Sequence, residues 1–441
     1  MTKTIDLLHG KIMRSLCILA VPIVMTYFIQ MAYNFIDMIW IGRLGSGAVA
    51  GVGVAGMFTW FSNGLVMMAK MGGQVKIGHC LGAGDDDDAR RYLGAALKLG
   101  IVFALFFGIG INILAHSLIG FFHLSSPAVI HDAVLYLRIT CGLVIFTFMN
   151  QIFTSSFNVY GDSRTPFIMN TCGLVSNVIA DPLLIFGIGP FPEMGIRGAA
   201  LATGIGQTTG LCIYLLTSRI KPLNLQFKMQ YFKPDKNICR RLYGIGIPAT
   251  LNMALPSFLI SALNILLGTF SDTQVLVLGI YYKLQSFLYL PANGMIQGMR
   301  PIMSYNYGAR ESSRVRSIYQ TALYIIILIL LAGTVLCLAV PDQLIHLFSD
   351  NTETIVAGRR ALRIICIGFA VSAVSVVTEG ALEAMGKGIH SLLISCMRYI
   401  VLILPLAFIF SHFFGVNGVW HAFWITEVIT AVTSGQYRAI A

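Results

Sequence analysis

Asp37 and Asp181 are the residues of this sequence best placed to do chemistry, because each carboxylate lies inside a long apolar run. Asp37 belongs to MAYNFIDMIWIGRLGS (31–46), with Asn34 one turn before it. Asp181 belongs to SNVIADPLLIFG, with Asn177 four residues earlier, a spacing that puts both side chains on one helical face. Pro182 follows directly and has no N–H to offer the carbonyl of Val178, so a backbone oxygen is freed close to that face. Carboxylate, amide and carbonyl oxygens are hard ligands suited to Na⁺, and a carboxylate can also carry a proton. An ionisable side chain at bilayer depth costs roughly 2.5–3.5 kcal/mol on insertion scales, so it is rarely left there idle. The pattern therefore points to a cation site; the plainer alternative is a pair of structural acids, each satisfied by an internal Lys, Arg or polar group.

The elements that must position these acids are membrane helices. Hydrophobic residues make up 56% of the 441-residue chain, charged residues only 11%, and the mean hydropathy is +0.77. A soluble domain is roughly 25% charged, so the composition is that of a polytopic helical membrane protein. A span needs about 20 apolar residues. Runs of that kind predict twelve, near 13–40, 48–72, 93–118, 132–158, 165–188, 195–219, 241–268, 275–303, 317–340, 357–384, 389–412 and 416–436. The first fourteen residues are polar and the run after them continues for a full span, so no cleavable signal peptide is expected. With the N-terminus in the cytoplasm, the segments outside hold only Arg43, Arg138, Arg197, Arg359, Arg360 and Arg363, while most of the 30 lysines and arginines fall inside. Both termini are then cytoplasmic, and Asp37 and Asp181 both fall in the outer half of the membrane. Anionic lipid facing the basic loops accounts for the net charge of +11 without nucleic acid.

An internal repeat divides the chain. Pro22 matches Pro248, Gly82-Ala83 matches Gly308-Ala309, and Leu118-Ile119 matches Leu344-Ile345, all at an offset of 226 residues. Gly161 with Gly386, and GIRG at 195 with GVNG at 415, continue the series at slightly shorter offsets. The expected organisation is an N-lobe (1–219) of six spans, a basic linker (220–240), and a C-lobe (241–441) of six more in the same orientation. Parallel repeats of this kind are a transporter signature. Asp37 falls opposite Leu263, and the segment opposite Asp181 has no acid. The scaffold recurs in both halves, but these carboxylates do not.

Taken together, NFIDMIWIGRLG, LGAGD at 81–85, NVIADPLLIF, GIRGAALAT at 195–203 and LPANGMIQGMRPIMSYNYGA at 290–309 resemble the MATE (multidrug and toxic compound extrusion) family, its bacterial MepA-like and DinF-like branch above all. The likeness covers essentially the whole chain. It implies an all-α integral membrane fold of twelve transmembrane helices in two parallel six-helix repeats, V-shaped and two-lobed, in a bacterial plasma membrane. It implies antiport of amphiphilic, often cationic drugs against Na⁺ or H⁺. Carried over residue by residue, it makes Asp37, Asn177, Asp181 and Thr203 the cation-binding residues, with Na⁺ at the first three. A monomer without a cofactor is expected.

The supply of 19 Met, 28 Phe and 17 Tyr suits a promiscuous cavity, because soft side chains repack around different ligands. Tyr33, Met67, Asn150, Phe153, Tyr281, Lys283, Gln285 and Tyr289 are the candidates to line it. In the second half, Arg398 and Glu427 are placed to form a structural pair, Glu379 lies within a span, and Glu383 reads as a solvated cap. Several motifs carry no chemistry. Gly51 to Gly56 fits G-x-G-x-x-G but lies in a span, where close helix packing explains it, as it does Gly206-x-x-x-Gly210. Asp85 to Asp88 reads as a helix cap beside Arg90 and Arg91. The nine cysteines are scattered, with no C-x-x-C, and no Walker A or H-E-x-x-H occurs, so neither zinc, ATP nor enzymatic chemistry is implied.

Secondary active efflux is therefore the expected function. The alternatives are a lipid-linked saccharide flippase of the same superfamily, kept open by Lys283 and Arg398, and a channel or receptor, disfavoured by the repeat. The charge bias makes one topological prediction. In a cysteine-free background, a single cysteine at Lys228 is protected from impermeant thiol reagents in intact cells, and one at Asn351 reacts; the opposite labelling pattern overturns the orientation.

Overall fold

The computed structural model describes residues 6–122, 126–220 and 235–436. Residues 221–234 of the expected linker, with Lys221, Lys228 and Lys233, lie outside them, as do Lys3 and Arg438. Every regular element among the described residues is helical, as expected of a chain whose backbone polar groups must be satisfied within hydrocarbon. Contacts divide the chain into two compact units, one of Met25–Gly246 and one of Asp6–Val24 with Ile247–Ala441. The first helix, α1 (Ile12–Gly42), begins in the second unit and ends in the first; α8 (Lys236–Gly268) does the reverse. Pro22 and Pro248, the pair that opens the repeat, lie within three residues of these changes of unit.

The first unit contains the C-terminal part of α1, then α2 (Ser46–Gly82), α3 (Asp86–Gly120), α4 (Pro127–Gly142), α5 (Val144–Val159), α6 (Arg164–Ile185) and α7 (Ile196–Ile220). Asp85 caps α3 by accepting from the N–H of Asp88 at 3.0 Å, and Arg91 pairs with Asp87 at 3.0 Å, so the acidic run is a helix start. α4 and α5 meet at a 44° bend, and only together are they long and apolar enough for one span. α6 and α7 form the most closely packed helix pair. A Cβ on Gly173 would meet the carbonyl oxygen of Gly206 at 2.7 Å, and a Cβ on Gly206 would meet that of Gly173 at 2.7 Å and the Asn177 Cβ at 2.8 Å. Two bare backbones therefore touch one turn before Asn177, which fixes the register of α6 against α7.

The second unit contains α9 (Asp272–Gly308), α10 (Ser312–Ala339), the short α11 (Pro341–His346), α12 (Thr352–Ile365), α13 (Phe369–Ala384), α14 (Gly388–Cys396), α15 (Ile403–Phe414) and α16 (Val416–Gln436). A 3₁₀ turn, Cys366–Gly368, joins α12 to α13, and a π-helical stretch, Met397–Leu402, joins α14 to α15. Arg398 lies in that stretch and its guanidinium is bound by Glu427 of α16, with Nε 2.9 Å from Oε1. The pair expected from sequence is thus formed. Glu383 departs from expectation. It is 4% exposed rather than a solvated cap, held by Arg300, by the Asn252 amide at 3.0 Å and by Ser391. The reason is that Arg300 and Asn252, on α9 and α8, supply the donors that solvent would otherwise provide.

Ten described helices are each long and apolar enough to cross a membrane, and the bent α4–α5 pair makes an eleventh. The twelfth expected span corresponds to α16, 21 residues that carry Asn417, His421 and Glu427. Gly206→Ala forces two backbones apart and is expected to cost about 1–3 kcal/mol, a typical overpacking penalty. Thermal unfolding in detergent checks this, with Gly53→Ala, where nothing lies within 4 Å of the new Cβ, expected to leave the midpoint in place.

Candidate functional site

Asp37 near the end of α1, Asn177 and Asp181 on α6, and Thr203 on α7 are brought together inside the first unit. Asp181 is fully buried and Asn177 is 2% exposed, while Asp37 is half-buried. Pro182 lies inside α6, so the helix turns through Asp181 with the Val178 carbonyl lacking its usual donor. Asp37 and Asp181 are within electrostatic range of each other, and both act on the phenols of Tyr33 and Tyr136. The Thr203 hydroxyl lies beside both phenols and donates to the Ala199 carbonyl at 3.1 Å.

The polar inventory does not balance. Both oxygens of Asp181, both polar atoms of Asn177 and Oδ1 of Asp37 are buried without a hydrogen-bond partner among the described residues. Leaving a buried acceptor unmade costs about 1–3 kcal/mol, and more for a charged one. Two carboxylates and an amide oxygen with no protein donor are a ligand set for a small hard cation, or a seat for a proton. The groups present fit Na⁺, which takes oxygen ligands of this kind.

One turn beyond the carboxylates, the site is closed by an aromatic pair. Trp40 of α1 meets Phe186 edge-on, with ring centroids 6.0 Å apart, and the Arg43 guanidinium lies over the Trp40 ring at 4.8 Å. Tyr136 and this pair are neighbours of the cluster that the sequence did not point to. Tyr136 sits in an ordinary apolar stretch of α4 and only the fold carries it to Thr203. Trp40 had a signal, since it follows Asp37 by three residues and so shares its face.

The residues expected to line a cavity have diverse surroundings. Asn150 donates to the Gln207 carbonyl at 2.8 Å and to its Oε1 at 2.9 Å, and Phe153 stacks on Tyr214 at 5.8 Å. Tyr281 is buried against Phe369 and Phe423, and Tyr289 bonds Ser372 at 2.7 Å. Met67 is buried too, so all five are enclosed by protein. Tyr33 is part of the acid cluster just described. Gln285 is half-buried, and Lys283 is exposed, its ammonium 5.8 Å from the centre of the Phe348 ring. Glu379 Oε1 and Glu427 Oε2 are among the orphaned buried oxygens of the other unit.

Comparison with known proteins follows the same division of the chain. The family model described as MatE matches twice, over residues 22–183 and 248–409. A Bacillus subtilis protein named "Probable multidrug resistance protein YoeA" is 26% identical over 93% of this chain and 90% of its own length. The FAD transporter of Shewanella oneidensis is 26% identical over 97% of this chain and 94% of its own. Among solved structures, a MOP superfamily transporter from Pyrococcus furiosus superposes with a TM-score of 0.90 at 22% identity, covering 100% of this chain and 98% of that one.

The orphaned oxygens make a stability prediction that needs no transport assay. Asp181→Asn removes a buried charge without a partner, so in Na⁺-free alkaline buffer its unfolding midpoint holds or rises. The parent gains stability as Na⁺ is added or pH is lowered, by mass action on the folded state, and the variant does not. A parent midpoint indifferent to both ions means that the cluster holds neither.

Proposed function

Because the chain belongs to the MatE family, we propose that it is a secondary active exporter in a bacterial plasma membrane, with both termini cytoplasmic, which extrudes small organic molecules in exchange for Na⁺ or H⁺. The observation that carries this reading is the set of buried, unpartnered oxygens on Asp37, Asn177 and Asp181. In the loaded state a cation or proton neutralises the carboxylates, with Asn177 as a neutral ligand. Thr203 lies beside the tyrosines around them. When the ion leaves, two carboxylates within range of one another are left uncompensated, so the unit has a reason to change its packing with its ion content. One charge moving through 100 mV releases about 2.3 kcal/mol, enough for a gradient of roughly fortyfold in a neutral solute.

Multidrug resistance is what the Bacillus subtilis relative is named for, and multidrug export is the activity proposed here. Lipophilic cations are the preferred class, since carboxylates at low dielectric attract positive charge and repel negative. Of the cavity candidates, Tyr33 of the first unit and, separately, Gln285 and Lys283 of the second are not buried, and each is proposed as a substrate contact of its own unit. The Shewanella relative is named for a large anionic dinucleotide, which makes an anionic probe the informative control.

The experiment is efflux in everted vesicles, with Na⁺ and pH gradients imposed separately and a cationic dye compared with an anionic one. Asp37→Asn and Asp181→Asn insert normally but lose gradient-driven efflux, by about tenfold or more if the ion contributes the energy above. Asn177→Ala weakens ion affinity more gently. Glu379→Gln and Glu427→Gln keep coupling, though Glu427→Gln loses stability with its arginine pair. Intact coupling in both Asp variants with loss in the Glu variants would move the ion site to the second unit.

A further inference from the structure

A second charged cluster lies far from any acid of the proposed ion site in sequence, on α12 of the second unit. Val356, Arg359, Arg360, Arg363 and Ile364 line a cavity of about 260 Å³. Arg359 is paired with Asp342 of α11 at 3.2 Å. No carboxylate of the described residues pairs with Arg360 or Arg363. The nearby acids have other partners, Glu353 accepting from Thr273 at 3.2 Å and Asp350 facing His346 at 3.1 Å. The cavity therefore keeps about two uncompensated positive charges on two exposed guanidiniums. Drug pockets run to roughly 300–1,000 Å³, so this one is small for a drug and has room for a phosphate group.

Its depth is set by the helix. Thr352–Ala384 runs for 33 residues, about 50 Å at 1.5 Å per residue, against a hydrocarbon core of about 30 Å. The surplus is at the polar end. TETIVAGRRALRII holds all the charges of the first part, and nothing charged follows Arg363 until Glu379. The three arginines thus sit at headgroup level. Below them on the same face, Ile364 is half-buried and Ile367 is 54% exposed, an apolar track leading from the guanidiniums into the bilayer. In the orientation proposed above they are half of the basic residues on the outer side, gathered on one turn where the charge rule disfavours them.

We propose that Arg359, Arg360 and Arg363 bind the phosphate of an anionic phospholipid, its acyl chain lying along Ile364 and Ile367. Guanidinium forks match phosphate oxygens two at a time. A zwitterionic lipid would bring an ammonium toward the same charges, so an anionic headgroup is selected. Free phosphate shares the headgroup chemistry but lacks the chain that the isoleucines would cover.

The test uses the full chain, purified and delipidated in a non-ionic detergent, titrated with phosphatidylglycerol, phosphatidylcholine or inorganic phosphate. Thermal midpoint and co-purified lipid are read together. Phosphatidylglycerol raises the midpoint and is retained, phosphatidylcholine and inorganic phosphate do neither, and the R360Q/R363Q double variant binds phosphatidylglycerol at least about tenfold more weakly. Arg359 is left intact because its substitution also breaks the Asp342 pair. If the double variant does not fold, the single variants R360Q and R363Q carry the comparison. Equal phosphatidylglycerol binding by parent and variants, or a phosphate response as large as the lipid's, overturns the proposal.

Discussion

A carboxylate with no protein donor in a membrane interior is the constraint on which the first unit depends. Asp181 is fully buried, and its two oxygens face groups that give them nothing. Such a group is tolerated only where something else completes it. Pro182 brings no N–H and Thr203 engages its own hydrogen in a backbone bond, while the Asn177 amide on the same face is itself unpaired. The cluster is under-coordinated among the described residues.

The second unit handles buried charge in the opposite way. Arg398 is held by Glu427, and Glu383 by Arg300, Asn252 and Ser391. These ion pairs carry the desolvation cost of any buried pair, and Arg300 Nε, Asn252 Oδ1 and Glu427 Oε2 stay without partners beside them. The π-helical stretch around Arg398 belongs to the same solution, since a wider turn re-aims one long side chain without ending the helix. Duplicated scaffolds have thus diverged in their electrostatics: buried carboxylates meet arginines in one half, while Asp181 meets none in the other.

Much of this was legible in the residues. Uninterrupted apolar runs have one solution in hydrocarbon, so α1 to α3 and α8 to α10 followed from composition and length alone. Asn177 and Asp181 were legible because their spacing is helical, and Asp37 because an acid in such a run is conspicuous. Tyr136 was not, since nothing local distinguishes a tyrosine that will meet Thr203 from one that packs against neighbours. Glu383 was misread for a related reason. Beside Gly386-Lys387-Gly388 it has the local look of a helix end, and its burial is decided by Arg300 and Asn252, more than eighty residues away in sequence. Partners that arrive from distant helices leave no trace in a local pattern.

The contact between Gly173 and Gly206 bears on how such a site can evolve. With carbonyl against missing side chain on both helices, α6 and α7 have no slack to slide or separate. Asn177, Asp181 and Thr203 are therefore carried as a preformed half-site whose spacing is not adjustable by small repacking. Tyr33 and Asp37 arrive on a different helix, α1, whose own close backbone contact lies further back, where a Cβ on Gly298 would meet the Ala20 Cα at 2.8 Å. Change in this cluster therefore comes by exchange of side chains rather than by a shift of α6 against α7.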